Sequence, residues 1–377
     1  MKKLKITFMS LFFPHPNRGA SPGVERSIEE ISNNLRKWGH NIKIVTTYLN
    51  GGNRRDEYRG LKILRIKESK FYFGRLGSLL EINRIIFGLN ALRPKNFKFF
   101  KDSDLIIMYN PGLCTPLFRI KKIPIISMFW HFTIVSYFVT RWEFKNNKNI
   151  ITVSKKSKED LVKYYGTKEE WIKIIPNGIN TKKFNPSNKS EEIRKKYGNN
   201  ILLFSGLMVD RKSIPTLLKA MSYVIQEIPD AHLILTGYGP RLQEYKKLSY
   251  SLNIQNNTTF LGFISDSILV KYYATSDIFI LPSELEGFGQ ILLEAMASGT
   301  PVICANRPPM SNIVGDAGIR FKLYDSKDLS MKIIELLNNR QKLNILSKNA
   351  LKQVKKYDYS IITKKYHNYF LKILKHT

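Results

Sequence analysis

Residues 282–303 have the sequence PSELEGFGQILLEAMASGTPVI, and this stretch decides the fold. An apolar run ending at Leu281 predicts a buried strand, the next residues form a glycine-containing loop, and the apolar residues after it have helical spacing. Gly287 and Gly289 allow the backbone to approach a ligand closely, and the start of a helix offers unpaired N–H groups for oxyanions. The stretch therefore predicts a strand, a ligand-binding loop and a helix in direct succession.

Two carboxylates belong to this unit: Glu286 in the loop and Glu294 in the opening turns of the helix. A carboxylate can accept two hydrogen bonds at once, which suits the paired hydroxyls of a ribose or a hexose. A plainer interpretation is that Glu294 is an acid favoured by the helix dipole and that the glycines only form a turn. These residues alone leave both interpretations open.

The same alternation of elements runs along the whole chain, where short β-branched runs are followed by longer segments of helical spacing. The first group of runs predicts strands at 5–13, 41–47, 61–66, 104–109, 123–129, 149–153 and 171–175. The second group predicts strands at 200–205, 231–236, 258–261, 277–281, 300–305 and 319–321. This pattern is typical of parallel sheets. The fold class is therefore α/β, with two Rossmann-like doubly wound domains.

Turn residues in IIPNGINTKKFNP, at 174–186, indicate a linker between the two domains. We expect an N-terminal domain at 1–180, a second domain at 181–355 and a C-terminal helix at 356–377. The apolar residues of this helix recur at helical spacing and need a surface to cover. We therefore expect the helix to cross back to the first domain.

Charge is the most unusual feature of the composition. The 377 residues include 61 Lys and Arg against 30 Asp and Glu, a net charge of +31, while 43% are hydrophobic as in a globular protein. Residues 1–180 hold 33 of the basic and 14 of the acidic residues. Such a charge favours anionic partners, whether phosphates, membrane surfaces or nucleic acid. The basic residues are scattered and form no nucleic-acid-binding motif, so nucleic-acid binding is a remote alternative.

Several further stretches occur in an order that matches a known family. With Glu286 and Glu294 as an E-x7-E pair, they resemble the family-four retaining glycosyltransferases of the GT-B fold, or glycosyl transferases group 1. The resemblance covers most of the chain. It implies two Rossmann-like domains that face across a cleft and transfer a sugar from a nucleotide diphosphate sugar donor to a glycan or lipid-linked acceptor. The stretches are NIITVSKKSKEDLVKYYG, WIKIIPNGINTKKFNP, ILLFSGLMVDRKSIPTLLKAM, AHLILTGYGP and FLGFISDSILVKYYATSDIFILPSELEGFG.

The resemblance also implies roles for residues of the second domain, which becomes the nucleotide-sugar-binding domain. Glu286 faces the transferred sugar, Glu294 holds the ribose, and Lys212 grips the donor diphosphate. Leu207 stands where the family has an arginine, and the adjoining Arg211 could restore the second positive charge. The remaining donor-binding positions are backbone turns and loop residues: Gly206, Gly237, Gly262, Phe263, Gly287, Phe288 and Gly289.

In the first domain, which becomes the acceptor-side domain, the resemblance selects two positions. Gly23 belongs to a glycine loop that closes on the diphosphate, and His131 lies against the donor sugar and joins Glu286 and Lys212 as a catalytic residue. His131 follows the apolar run IPIISMFW, at the carboxyl edge of a sheet where ligands of such folds bind. The family often has an aspartate after this histidine, whereas this sequence has Phe132.

No metal and no cofactor are expected. Asp102 and Asp104 form a D-x-D sequence of the type that binds a metal in another glycosyltransferase fold. However, it precedes its strand instead of ending it, and no further carboxylate or histidine cluster lies nearby in sequence to complete an oxygen-ligand shell. The nearest alternative function keeps the same fold, as a phosphorylase or sugar synthase that uses phosphate or a small acceptor.

The sequence favours a cytoplasmic protein bound peripherally to the inner face of a membrane. Its first residues are basic and then apolar, but they lack a small-residue cleavage site and indicate a first strand. Cys114 and Cys304 are too few for a disulfide framework. Residues 75–101 combine apolar residues near one helical face, including Phe87, with flanking arginines and lysines, as membrane-surface helices do. An ordinary helix that covers its own sheet would show the same stripe.

Overall fold

The computed structural model describes residues 3–11, 13, 23–47, 54–66, 86–109, 123–130 and 137–375. Within these ranges the chain divides into two compact units. The first contains Met1–Gly178 and Tyr359–Thr377, and the second contains Ile179–Asp358. Both are α/β units built on a mainly parallel sheet, which confirms the predicted fold class.

The described residues form fourteen strands and thirteen α-helices whose limits the structure defines, and residues 86–92 are also helical. The strands are β1 (Lys5–Met9), β2 (Asn41–Thr47), β3 (Arg55–Tyr58), β4 (Leu61–Ile66), β5 (Leu105–Met108), β6 (Ile125–Phe129), β7 (Ile150–Thr152), β8 (Ile172–Ile174), β9 (Asn200–Ser205), β10 (Ala231–Thr236), β11 (Thr258–Gly262), β12 (Ile278–Leu281), β13 (Val302–Ala305) and β14 (Gly318–Phe321). The helices are α1 (Gly23–Lys37), α2 (Pro94–Phe97), α3 (Tyr137–Asn146), α4 (Lys155–Tyr165), α5 (Glu191–Tyr197), α6 (Ile214–Glu227), α7 (Leu242–Ser251), α8 (Asp266–Thr275), α9 (Gln290–Ala297), α10 (Met310–Val314), α11 (Ser326–Leu337), α12 (Arg340–Val354) and α13 (Tyr359–Lys375).

The first unit contains an eight-stranded sheet with the order β3-β4-β2-β1-β5-β6-β7-β8. All of its neighbouring strands are parallel except the β3–β4 pair. Successive residues of a strand point to opposite faces of the sheet. Core residues cover both faces. In β1, Ile6 and Phe8 belong to one core cluster and Met9 belongs to another.

Helix α13 packs in the core of the first unit, next to α1. Its residues Ile362, Tyr366 and Phe370 recur every four positions, and all three are buried in the same cluster as Ile28 and Ile31 of α1. This spacing places them on one face of the helix. The apolar stripe at the end of the chain is therefore covered by the unit that contains the beginning of the chain.

The second unit contains a six-stranded parallel sheet with the order β11-β10-β9-β12-β13-β14. Counted from β9, this is the doubly wound order 3-2-1-4-5-6, in which the direction of winding reverses between β9 and β12. Those two strands are direct neighbours. Ligands of such sheets bind beyond the carboxyl ends of the strands at this reversal. Cys304 lies in β13, where burial raises the pKa of its thiol to about 12, and Cys114 lies outside the described residues.

Two histidines of the first unit are buried next to each other. The rings of His40 and His367 lie 4.8 Å apart, and each residue is only 4% exposed. The Nδ1 atom of His40 accepts a hydrogen bond from the N–H of Leu4. Burial lowers the pKa of both imidazoles, and the neighbouring His367 lowers the pKa of His40 further. Both rings are therefore neutral in the folded protein at neutral pH.

We expect the melting temperature to fall as the pH decreases from 7.5 to 5.5. Below about pH 6.5 the two histidines are protonated in the unfolded chain but remain neutral in the folded protein. The stability that is present above that pH is therefore lost as the pH falls toward the folded pKa values. Each pKa unit of depression corresponds to about 1.4 kcal/mol. Calorimetric melting of wild type and His367→Phe measures the effect, and the variant should show a smaller slope. Identical slopes of melting temperature against pH in both proteins would contradict this prediction. A residual slope is expected in the variant, because burial also lowers the pKa of His232.

Candidate functional site

Two of the predicted donor-site loops lie beyond the carboxyl ends of β9 and β12. The loop after β9 contains Gly206 and leads to Lys212, and the loop after β12 contains Glu286. Because β9 and β12 are adjacent and parallel, their carboxyl ends meet at the same edge of the sheet. The two loops therefore flank the point where the winding of the sheet reverses.

Lys212 and Glu286 form an ion pair across this point. The Nζ atom of Lys212 donates a hydrogen bond to Oε1 of Glu286, and the two side chains are only 7% and 11% exposed. A pair this shielded from water interacts more strongly than one on the surface. The backbone joins the loops as well, since the N–H of Glu284 donates to the carbonyl of Arg211 at 2.8 Å.

Arg211 provides a second cation beside the same carboxylate. Its Nη1 lies 3.8 Å from Oε2 of Glu286 and donates a hydrogen bond to the carbonyl of Leu285 at 3.1 Å. The side chain is 45% exposed, in contrast to the buried Lys212. Leu207, at the position of the family's arginine, is 41% exposed and contributes no charge. Arg211 and Lys212 thus bring two positive charges to one carboxylate.

Three glycines at the ends of β9, β10 and β11 form a tightly packed turn region. Gly237 has φ of +120°, and a Cβ at this position would lie 1.9 Å from the carbonyl oxygen of Gly206. Its N–H donates to the carbonyl of Gly262 at 2.8 Å. A side chain at position 237 would therefore force the turns apart. The side chain of Lys212 lies against Gly206, since a Cβ at position 206 would be 3.6 Å from its Nζ atom.

Two aromatic residues follow the strand ends next to these glycines. Tyr238 and Phe263 are 59% and 51% exposed, and their ring centroids lie 6.3 Å apart in an edge-to-face arrangement. Exposed aromatic rings at a ligand-binding edge can pack against a base or a sugar. Phe263 was predicted from the sequence. Tyr238 was missed, and its place between Gly237 and Gly239 was the available clue.

The loop before α9 is shaped by Gly289, which precedes the helix with φ of +102°. Phe288 is 5% exposed and packs against Tyr357, with ring centroids 6.1 Å apart. Glu294 lies inside α9 and is 2% exposed, so it is not the surface acid of the plainer interpretation. A buried carboxylate requires polar partners, because an unpaired buried charge is costly.

In the first unit, the structure describes Gly23 and not His131. Gly23 is the first residue of α1. His131 follows the described residues 123–130 and lies outside them. Its predicted role against the donor sugar remains a prediction.

Asp102 and Asp104 have structural partners. Nζ of Lys43 donates to Oδ1 of Asp102 at 2.5 Å, and this hydrogen bond is the main cause of the lowered pKa of Asp102. Asp104 accepts a hydrogen bond from the N–H of Lys5 at 2.7 Å. The part of the chain that the structure describes contains no group of three or more His, Cys, Asp or Glu placed to bind a metal ion. Both aspartates thus have partners within the first unit, just before β5.

Comparison with solved structures identifies the fold of this two-unit chain. The chain superimposes on a sucrose-phosphate synthase from Thermosynechococcus elongatus with a TM-score of 0.83 over 100% of both chains at 20% identity. It superimposes on the Anabaena Alr3699/HepE structure in complex with UDP and glucose with a TM-score of 0.76, over 98% of this chain and 100% of that one, at 19% identity. The fold is therefore GT-B.

The family follows from the sequence comparisons. The Glycosyl transferases group 1 model matches residues 187–353, and the Glycosyltransferase Family 4 model matches residues 22–183. An alpha-monoglucosyldiacylglycerol synthase of Streptococcus pneumoniae is 28% identical over 88% of this chain and 77% of its own length. The protein belongs to the family-four glycosyltransferases, as the sequence motifs predicted. No helix among the described residues is both long and apolar enough to cross a bilayer.

Proposed function

We propose that this glycosyltransferase moves a sugar from a nucleotide diphosphate sugar donor to a glycan or lipid-linked acceptor, with retention of configuration and without a metal. The observation that carries the proposal is the shielded pair of Lys212 and Glu286, with Arg211 beside it, at the winding reversal of a doubly wound sheet. Ligands of such sheets bind at this place. The two cations suit a diphosphate, and the carboxylate suits sugar hydroxyls.

In the proposed reaction, the bond between the anomeric carbon and the β-phosphate oxygen breaks, and its electron pair remains on the departing diphosphate. The acceptor hydroxyl oxygen bonds to the anomeric carbon from the same face, and its proton passes to the departing phosphate. Negative charge grows on the leaving group during this step. Lys212 and Arg211 stabilise that charge electrostatically, which is the contribution that a metal ion would otherwise make.

The two glutamates have different proposed roles. Glu286 accepts hydrogen bonds from the sugar that moves, so its interactions can strengthen as the bond breaks. Glu294 accepts hydrogen bonds from the ribose, which does not change during the reaction. The exposed rings of Tyr238 and Phe263 provide an apolar surface for the base.

The alternative within the same fold is a phosphorylase or sugar synthase. A phosphorylase needs inorganic phosphate to release or form its sugar phosphate, whereas the proposed transferase consumes its donor in the absence of phosphate. The remote alternative, a nucleic-acid-binding protein, would show salt-dependent RNA binding and no sugar transfer.

We expect one of UDP, GDP or ADP, and the matching nucleotide sugar, to raise the melting temperature of the protein. A ligand present at 100 times its dissociation constant adds about 2.7 kcal/mol of stability. The matching nucleotide sugar should then be consumed, and excess EDTA should leave the rate unchanged. Loss of activity in EDTA with recovery in magnesium or manganese would contradict the metal-independent reaction. No shift with any of the nucleotides would contradict the donor site.

We also propose that the enzyme works on the cytoplasmic face of an anionic membrane. The alpha-monoglucosyldiacylglycerol synthase named above makes a glycolipid, which supports a lipid-linked acceptor. Residues 75–85 lie outside the described residues. In the described part of the segment, however, Phe87 is buried in a core cluster with Ala91 and Phe100, so this part of the stripe covers the sheet. The proposal therefore rests on charge, and Arg93, Lys95 and Lys98 are all exposed.

Wild-type protein should cosediment with vesicles that contain an anionic phospholipid, and less so in high salt. Replacement of Arg93, Lys95 and Lys98 by glutamine should weaken binding by about two orders of magnitude, because each basic residue contributes about 1 kcal/mol. The matched control replaces the exposed Lys145, Lys148 and Lys173 by glutamine, which makes the same change in net charge. Equal loss in both triple variants would mean that overall charge, and not this segment, governs binding. Protein that stays in the supernatant at low salt would favour a soluble acceptor.

A further inference from the structure

The second unit contains another pocket, at the carboxyl ends of β13 and β14. Its volume is about 630 Å³, within the range of small-molecule sites. Arg307 follows β13, Lys322 and Tyr324 follow β14, and Lys332 belongs to α11. None of these residues has a role in the proposed donor site.

The pocket is strongly basic. Four cations line it, Arg307, Arg320, Lys322 and Lys332, together with the carboxylate of Asp328. Oδ2 of Asp328 accepts a hydrogen bond from the backbone N–H of Lys322 at 2.7 Å. Among the described residues, the four cations take part in no ion pair, whereas many other basic residues of this unit do.

Like charges around one cavity repel one another, and a bound anion would offset that repulsion. Arginine and lysine offer complementary contacts: the planar guanidinium binds two oxygens of one group, and the ammonium provides a compact point charge. A phosphate group, with up to two negative charges and three terminal oxygens, matches this lining better than a carboxylate does.

A strained residue connects the pocket to the loop of the donor site. Tyr324 has φ of +66°, which is rare for a residue other than glycine, and such strain is frequent at functional sites. Interaction with the carboxylate of Glu284 is the main cause of the raised pKa of Tyr324. Glu284 is also held by its N–H bond to the carbonyl of Arg211. The pocket thus adjoins the loop that carries Glu286.

We propose that this pocket binds the phosphate group of a ligand other than the sugar donor, with Arg307 and Lys322 as its main contacts. The phosphate can belong to a soluble sugar phosphate or to a lipid headgroup, because Arg307 and Lys322 would contact only the phosphate group itself. The proposal goes beyond the transfer reaction and does not require it. Binding can therefore be tested without any measurement of sugar transfer.

The test uses full-length protein with the Lys212→Gln substitution, which removes the main donor-site cation. Glucose 6-phosphate is titrated calorimetrically, and vesicles with phosphatidic acid are compared with vesicles of phosphatidylcholine alone. The pocket variant adds Arg307→Gln and Lys322→Gln, both at exposed positions. The matched control adds Lys348→Gln and Lys352→Gln, which are exposed on α12.

We expect the pocket variant to bind the phosphate probe about 100-fold more weakly and the control to bind it unchanged, because the two lost contacts are both hydrogen bonds to a charged group. Binding of glucose 6-phosphate would identify a soluble ligand, and binding of phosphatidic acid vesicles alone would identify a lipid headgroup. Equal affinities of pocket and control variants would overturn the proposal. Absence of binding in the Lys212→Gln background, with binding in wild type, would assign the anion to the donor site and overturn it too.

Discussion

A Lys212→Ala variant should lose turnover by about 10²- to 10³-fold at saturating donor, the loss seen when a group that stabilises transition-state charge is removed. Lys212 is the least exposed cation of the site and already contacts Glu286. Its charge acts where water is scarce, so solvent cannot replace it. The measurement is kcat with the nucleotide sugar that the melting screen identifies.

The controls for this prediction use the cations around Lys212. Arg211→Ala should cost less turnover, because the Arg211 side chain is 45% exposed and lies 3.8 Å from Glu286. Lys219→Ala, at an exposed position of α6, should be neutral. A larger loss from Arg211→Ala than from Lys212→Ala would show that Arg211 holds the leaving group. The melting temperature of Lys212→Ala must be compared as well, since the substitution leaves Glu286 without its partner.

Most strands could be predicted because parallel strands buried on both faces have continuous apolar sequences. The predicted strand at 200–205 coincides with β9, and those at 231–236 and 41–47 coincide with β10 and β2. The predicted strand at 5–13 is too long, because β1 ends at Met9. Strand β3, with the sequence RDEY, was missed. It is a polar edge strand, and only its antiparallel pairing with β4 makes it a strand.

The sequence predicted the individual motifs of the site but not which of their side chains contact one another. The glycine turns and the E-x7-E pair are visible in the sequence, because their spacing is local. Lys212 and Glu286 are 74 residues apart, and their contact depends on the adjacency of β9 and β12. Strand order in a sheet is not a local property of the sequence. For the same reason, the basic pocket after β13 and β14 had no sequence signature: its four cations come from three separate elements.

The interpretation of residues 75–101 shows a limit of amphipathic patterns. The apolar stripe that includes Phe87 suits a membrane surface and a sheet equally well, because both bury one face of a helix. In the described part of the segment, Phe87 and Ala91 pack in the same cluster as Val45 and Ile106 of the sheet. Phe87 is therefore buried as predicted, whereas the predicted stripe residues before position 86 lie outside the described residues.

Glu294→Ala should weaken binding of the donor nucleotide by about 10- to 100-fold, since a hydrogen bond to a charged group contributes about 1.5–3 kcal/mol. Glu286→Ala should instead leave nucleotide affinity close to wild type and lower kcat. The difference follows from what each carboxylate is proposed to contact. A contact to the ribose acts equally in the ground state and the transition state, whereas a contact to the moving sugar can strengthen as the bond breaks.

Burial decides how the two glutamate variants must be compared. Glu294 is 2% exposed inside α9, so its replacement by alanine also leaves a small cavity and can lower stability. Glu294→Gln keeps the shape of the side chain but removes its charge and replaces one acceptor oxygen with an NH2 donor, so it should retain the melting temperature more closely while still losing nucleotide affinity. Calorimetric titration with the nucleotide, followed by donor turnover, separates affinity from rate. If Glu294→Gln binds the nucleotide as wild type does and Glu286→Ala turns over as wild type does, neither carboxylate belongs to the donor site, and the shielded ion pair with Lys212 is structural.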